Sequence, residues 1–185
     1  MLPLNSRRWR TLESFCHAPG VPGGVEVRDV LKRWRDAIGT SDAKRLYRQL
    51  RDYFTQQYSI MEVAYAVIPH VVKDLERLPP SDRITCLIDI GVTHLASVKP
   101  HQPGLPDDLE DDYLAAIEKA TRIAERCLAL ELSKEEFRYL IAVICILRGH
   151  DGLGDLLIGL HAISGKCPKC GVSVYPKQIK DCGYS

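Results

Sequence analysis

Ile60-Met61-Glu62-Val63-Ala64-Tyr65-Ala66-Val67-Ile68-Pro69-His70-Val71-Val72-Lys73-Asp74-Leu75 decides the fold class. Ile60, Val63, Ala64, Val67, Ile68, Val71, Val72 and Leu75 recur at steps of three and four, which keeps them on one face of a helix for four turns. A strand would scatter them over both faces of a sheet. Pro69 lies inside the run, where its ring removes the hydrogen bond to the Tyr65 carbonyl and predicts a kink.

The same spacing recurs on either side. Val27, Val30, Leu31, Trp34 and Ile38 form a stripe that Gly39 ends, and Ser41 is placed to cap the next helix. That helix carries Ala43, Leu46, Tyr47, Leu50, Tyr53 and Phe54, with Lys44, Arg45, Arg48 and Arg51 on the other side. Pro79-Pro80 stops the decisive helix, and Ser81 is read as the cap of a helix carrying Ile84, Leu87, Ile88, Val92 and Leu95. A proline-rich loop spans 97–106. Asp107, Asp108 and Glu110 then open a helix where the positive end of its dipole favours carboxylates.

Ser133 and Glu136 form a capping box for a helix through Leu147 that is apolar nearly all round, which places it in the middle of the packing. Gly149 breaks it, and Leu153, Leu156, Leu157 and Leu160 mark a short successor. Trp9, Leu12, Phe15 and Cys16 suggest one more helix at the front. The expected fold is all-α, with about eight helices and no strand before residue 166. Short joins favour hairpins of neighbouring helices. Helix-pair starts near 41, 81 and 133 are spaced by about 40 and about 52 residues, the first within the HEAT-type period. A compact helical bundle is the alternative.

At 185 residues, 45% apolar and 26% charged, the chain has ordinary globular composition, so wholesale disorder is excluded. The longest apolar run, Leu140 to Leu147, is far short of the ~20 residues a bilayer requires. The first residues lack the apolar stretch of a secretory signal. An odd count of seven cysteines without a framework of spacings argues against a disulfide scaffold. A cytoplasmic protein is expected. Net charge is +1, but residues 1–51 hold eleven Arg and Lys against five Asp and Glu, a split that can create opposed surface potentials; plainly solvated arginine-rich helix faces are the alternative.

Gln56-Gln57-Tyr58-Ser59 leading into the alanine-containing helix up to Pro69-His70 resembles a group of bacterial HEAT-like helical proteins. The likeness extends to the Leu12 region, Pro106-Asp107-Asp108-Leu109, Leu147-Arg148-Gly149-His150 and the C-terminal Cys-Pro-x-Cys-Gly. The resemblance implies a right-handed stack of helix pairs (residues 1–163) with a concave face for a partner, followed by a cysteine-containing tail (164–185). Some relatives in that group resemble immunity or accessory proteins for bacterial toxins.

The strongest chemical signal is Cys167-Pro168-Lys169-Cys170-Gly171, half of a zinc knuckle: two thiolates converge on one metal and Gly accepts a left-handed backbone. Cys182 and His161 are the candidates for the remaining ligands of one structural zinc. An unmetallated knuckle and a redox thiol pair are the alternatives, the latter without the βαβ setting of a thioredoxin-like site.

No phosphate-cradling Gly loop, Gly-x-Ser-x-Gly elbow or His-Glu-x-x-His helix is present, and six scattered histidines read as single packed or exposed residues. Tyr47, Tyr53, Phe54, Tyr58 and Tyr65 lie close to Arg45, Arg48 and Arg51, a composition enriched at binding hot spots and also suited to a half-buried helix. The expected function is non-catalytic: binding of another protein, as an immunity or adaptor protein, through Arg45, Arg48, Arg51, Gln57 and Tyr58. The alternative is nucleic-acid binding through the basic N-terminal helices, as some HEAT-like proteins are DNA glycosylases. A near-neutral net charge stands against it.

Overall fold

Seven α-helices account for most of the residues described in the computed structural model, which covers 1–15, 22–56 and 59–159, together with the backbone of 165–166 and 173–174. They are α1 (Gly23–Ala37), α2 (Ala43–Phe54), α3 (Val63–Asp74), α4 (Pro80–Ser97), α5 (Asp107–Cys127), α6 (Lys134–Leu147) and α7 (Asp151–Gly159). No described helix is long and apolar enough to cross a membrane.

The decisive segment folds as α3, continuous through Pro69, and eleven of its twelve residues are buried. It is α3, rather than α6, that lies in the middle of the packing. The sequence of α6 is apolar enough for that role, but Phe137 is half exposed and Ile141, Ile144 and Cys145 are only partly covered. What places α3 centrally is its lack of charge on any face before Lys73, so that α1 and α5 both pack against it.

Helices adjacent in sequence pack as α1 on α2, α5 on α6 and α6 on α7. Between α3 and α4 the hairpin expectation does not hold: they touch sparsely, while α3 packs chiefly on α5 and α4 chiefly on α6. The α4–α6 seam is close because Gly91 has no side chain. A Cβ there would stand 2.8 Å from Val143 Cγ2.

Local signals fared unevenly. Gly39 and Gly149 have φ of 93° and 79°, the left-handed values that end α1 and α6. Ser133 and Glu136 make the capping box, and Asp107, Asp108 and Glu110 occupy the first turn of α5. The caps expected of Ser41 and Ser81 are absent. Asp42 precedes α2 without a side-chain cap, and α4 starts at Pro80, whose fixed φ and missing N–H suit a first turn.

The front helix is reduced to a 3₁₀ turn, Arg7–Arg10. Beyond it the backbone bonds outward instead of to itself: Gly24 N–H donates to Leu12 C=O, Phe15 N–H to Tyr53 C=O and Val63 N–H to Glu13 C=O. The segment thereby laces α1, the end of α2 and the start of α3 together. A short antiparallel bridge also precedes residue 166, contrary to expectation: β1 (Thr55–Gln56) pairs with β2 (Ser59–Ile60) in the register Thr55↔Ile60. Ile60 thus joins the core from a strand, not from the helix. Near the C-terminus β3 (Gly165–Lys166) pairs with β4 (Ser173–Val174), Gly165 opposite Val174.

Two carboxylate clusters tie the α1, α3 and α5 region. Asp74, at the end of α3, accepts from Arg35 Nε at 2.7 Å and Arg77 Nη1 at 2.8 Å. Arg8 bridges Glu62 at 2.6 Å and Asp108 at 2.9 Å. The proline-rich connection from α4 to α5 is pinned twice: Ile60 N–H donates to Gln102 Oε1 at 2.9 Å, and Tyr65 O–H donates to Pro103 C=O at 2.7 Å.

Candidate functional site

Where α2 and α4 face each other, the helices part and leave a cavity of about 300 Å³, at the lower end of small-ligand pockets. Lys44, Tyr47, Arg48 and Arg51 face it from α2, at steps of three, one and three along one side of the helix. Asp82, Thr85, Cys86 and Asp89 face it from α4 with the same steps. One wall is therefore cationic and the other anionic. Between them Trp34, Ala43 and Leu78 add apolar surface. The rings of Trp34 and Tyr47 lie 5.8 Å apart, inclined at 47°.

At one end Arg51 Nη1 lies 3.9 Å from Asp89 Oδ1. That is too long for a hydrogen bond, and Arg51 is also held by Asp52 at 3.1 Å. The other Asp89 oxygen, Oδ2, and the Tyr47 hydroxyl are both buried and make no well-formed hydrogen bond among the described residues, although the hydroxyl stands close enough to Asp89 and Cys86 to interact with both. Buried polar atoms are rarely left so, and each such atom has a desolvation cost of about 1–3 kcal/mol. Along the rim, Lys44, Arg48 and Asp82 form no ion pair among the described residues.

Burial sets the protonation of the site. It raises the Asp89 carboxyl to about 6, against the opposing pull of Arg51 and of the Tyr47 hydroxyl. It also drives the Cys86 thiol and the Tyr47 phenol well above their usual ranges. At neutral pH the cleft thus presents an S–H, an O–H and a largely ionised carboxylate. These are groups for hydrogen bonding; a thiol held in its protonated form is a poor nucleophile.

Of the residues singled out by sequence, Arg48 and Arg51 line this cleft. Arg45 lies outside its lining, exposed and paired with Asp42 at 3.3 Å. Gln57 and Tyr58 fall outside the described residues, as do all four candidate zinc ligands, His161, Cys167, Cys170 and Cys182. Among the described residues no three His, Cys, Asp or Glu side chains are grouped to hold a metal ion. Tyr53 and Tyr65, read as hot-spot aromatics, are committed inward: Tyr53 O–H donates to Glu26 at 2.6 Å, and Tyr65 to the pinned loop.

Sequence reasoning missed the whole α4 wall. Asp82, Cys86 and Asp89 recur at helical spacing opposite the apolar stripe, a pattern that also describes an ordinary solvated face. Only the placement of α4 across from α2 gives it meaning.

No protein-family model matches this chain, and neither a curated protein nor a solved structure is significantly similar to it.

Proposed function

We propose that this is a non-catalytic binding protein, a HEAT-like stack of helices that docks another protein at the α2–α4 cleft. The observation that carries the proposal is the cleft itself: Trp34, Tyr47 and Leu78 at its floor, two buried polar atoms that make no well-formed hydrogen bond among the described residues, and three charged groups at the rim in no ion pair there. Tyr, Trp and Arg around a pocket that an inserted side chain would dehydrate is the composition of a binding hot spot. The stacking of α3 on α5 and of α4 on α6 supports the repeat reading, since in such stacks each helix adjoins its counterpart in the next pair. The resemblance to immunity-like HEAT proteins makes a bacterial toxin or effector the partner class of first choice.

Nucleic-acid binding is the second reading, favoured by Lys44, Arg45, Arg48 and Arg51 on one helix. The carboxylates of α4 would oppose a phosphate chain laid along that wall. Arg8 and Arg35 are already engaged by Glu62, Asp108 and Asp74.

The test is capture from a native lysate by the wild-type chain and by the double variant Arg48→Glu/Asp82→Lys, with circular dichroism to establish that the variant is folded. One stoichiometric protein retained by the wild type and lost by the variant is the expected result. Equal retention by both would remove the cleft from the interface. A mobility shift of duplex DNA whose affinity falls steeply with salt would favour the second reading.

A further inference from the structure

The two facing walls specify more than a recognition site in general. We propose that the α2–α4 cleft binds a small zwitterionic molecule of amino-acid size, its anionic end against Lys44 and Arg48 and its cationic end against Asp82 and Asp89. The inference rests on the reading of the cleft as a recognition site, but not on the partner there being a protein.

The charges decide the class. An uncharged ligand would strip water from Lys44, Arg48 and Asp82 and return nothing to them. A simple anion satisfies α2 but sets its charge against the two carboxylates of α4. A simple cation meets the converse difficulty at three basic side chains. A molecule carrying both charges gives each wall its complement.

The unpartnered atoms agree with this. Asp89 Oδ2 is an acceptor for an ammonium group and the Tyr47 hydroxyl a donor for a carboxylate; both atoms are buried and make no well-formed hydrogen bond among the described residues, the hydroxyl lying near Asp89 and Cys86. The volume, about 300 Å³, accommodates one amino-acid-sized molecule and excludes a folded segment. Trp34 and Leu78 border the cleft from within the core, 1% and 4% exposed.

Three probes dissect the two ends. Phenylalanine carries both charges, phenylpropionate lacks the ammonium group and phenethylamine lacks the carboxylate. Binding is followed by the Trp34 indole N–H resonance during titration of the full chain. Phenylalanine is expected to give a saturable shift, and each single-ended probe to bind roughly threefold to tenfold more weakly. Arg48→Ala should weaken phenylalanine and phenylpropionate but not phenethylamine. Asp82→Asn should weaken phenylalanine and phenethylamine but not phenylpropionate. The proposal is overturned if either single-ended probe binds as tightly as phenylalanine, or if phenylalanine gives no saturable shift. A partner protein lost by the double variant, with no probe binding, would overturn this inference alone. Probe binding without any captured partner would overturn the protein-docking reading alone.

Discussion

Asp74 and Asp89 are both carboxylates set among helices, and their surroundings differ in every respect that matters energetically. Asp74 is nearly sealed, with Arg35 on one oxygen and Arg77 on the other. Asp89 has one distant cation on Oδ1 and, among the described residues, no hydrogen-bond partner on Oδ2. The first arrangement closes the α1–α3 region. The second leaves the space between α2 and α4 open, with the desolvation cost uncompensated. Where a fold completes one buried carboxylate and neglects another, the neglected one marks the place at which something from outside can contribute.

Breaking the completed site should have the largest effect. Asp74→Ala leaves two guanidiniums converging on an empty position and should cost about 3 kcal/mol in urea unfolding, the low end for breaking a buried pair because Arg77 is over half exposed. A loss below ~1 kcal/mol would show that the two sites are not so different.

The α4 helix offers a second contrast, open towards α2 and tightly joined to α6. Gly91→Ala should cost about 1–3 kcal/mol through the clash with Val143, and Val143→Ala in the same chain should recover part of it. Additive losses would refute the clash.

Asp89→Asn should act in the opposite direction. The folded-state carboxyl titrates at about 6, above its ordinary value, so the native state holds the proton more tightly. That contribution is fully present at acid pH and is lost as pH rises through about 6. The variant has no such titration. Its stability relative to wild type should therefore rise by on the order of 1–2 kcal/mol between about pH 4 and pH 7.5. His70, lowered to about 4 chiefly by burial, works the other way: its contribution is lost as pH falls from about 6.5 towards 4. It is present in both chains and cancels in the difference. A pH-independent gap would remove Asp89 as the cause.

The smallest effect on stability belongs to Arg48→Glu, within about 0.5 kcal/mol of wild type because the side chain is exposed and in no ion pair among the described residues. Its consequence should appear in binding alone, and a folding defect would contradict that division.

Much of the fold was legible because it is written locally. The α3 stripe, the Ser133–Glu136 box, the glycines after α1 and α6 and the acidic start of α5 each involve residues within a turn or two. Two of the misreadings share one cause, long-range bonding that overrode the local pattern. Leu12 and Phe15 have helical spacing, yet Leu12 C=O and Phe15 N–H serve α1 and α2. Ile60 has the spacing of the α3 stripe but is held in a bridge opposite Thr55. The candidate site was half legible. Arg48 and Arg51 stood out as arginines beside aromatics, whereas Asp82, Cys86 and Asp89 became significant only when two segments about 40 residues apart in sequence were set face to face.

The connection between α4 and α5 has the composition of a loose linker, with Pro100, Pro103 and Pro106 and a left-handed His101. Yet Gln102 and Pro103 grip Ile60 and Tyr65. Severing the chain in that span should not let the molecule come apart: the nicked pieces, riveted through these bonds and the helix seams, should travel as one particle until a denaturant separates them.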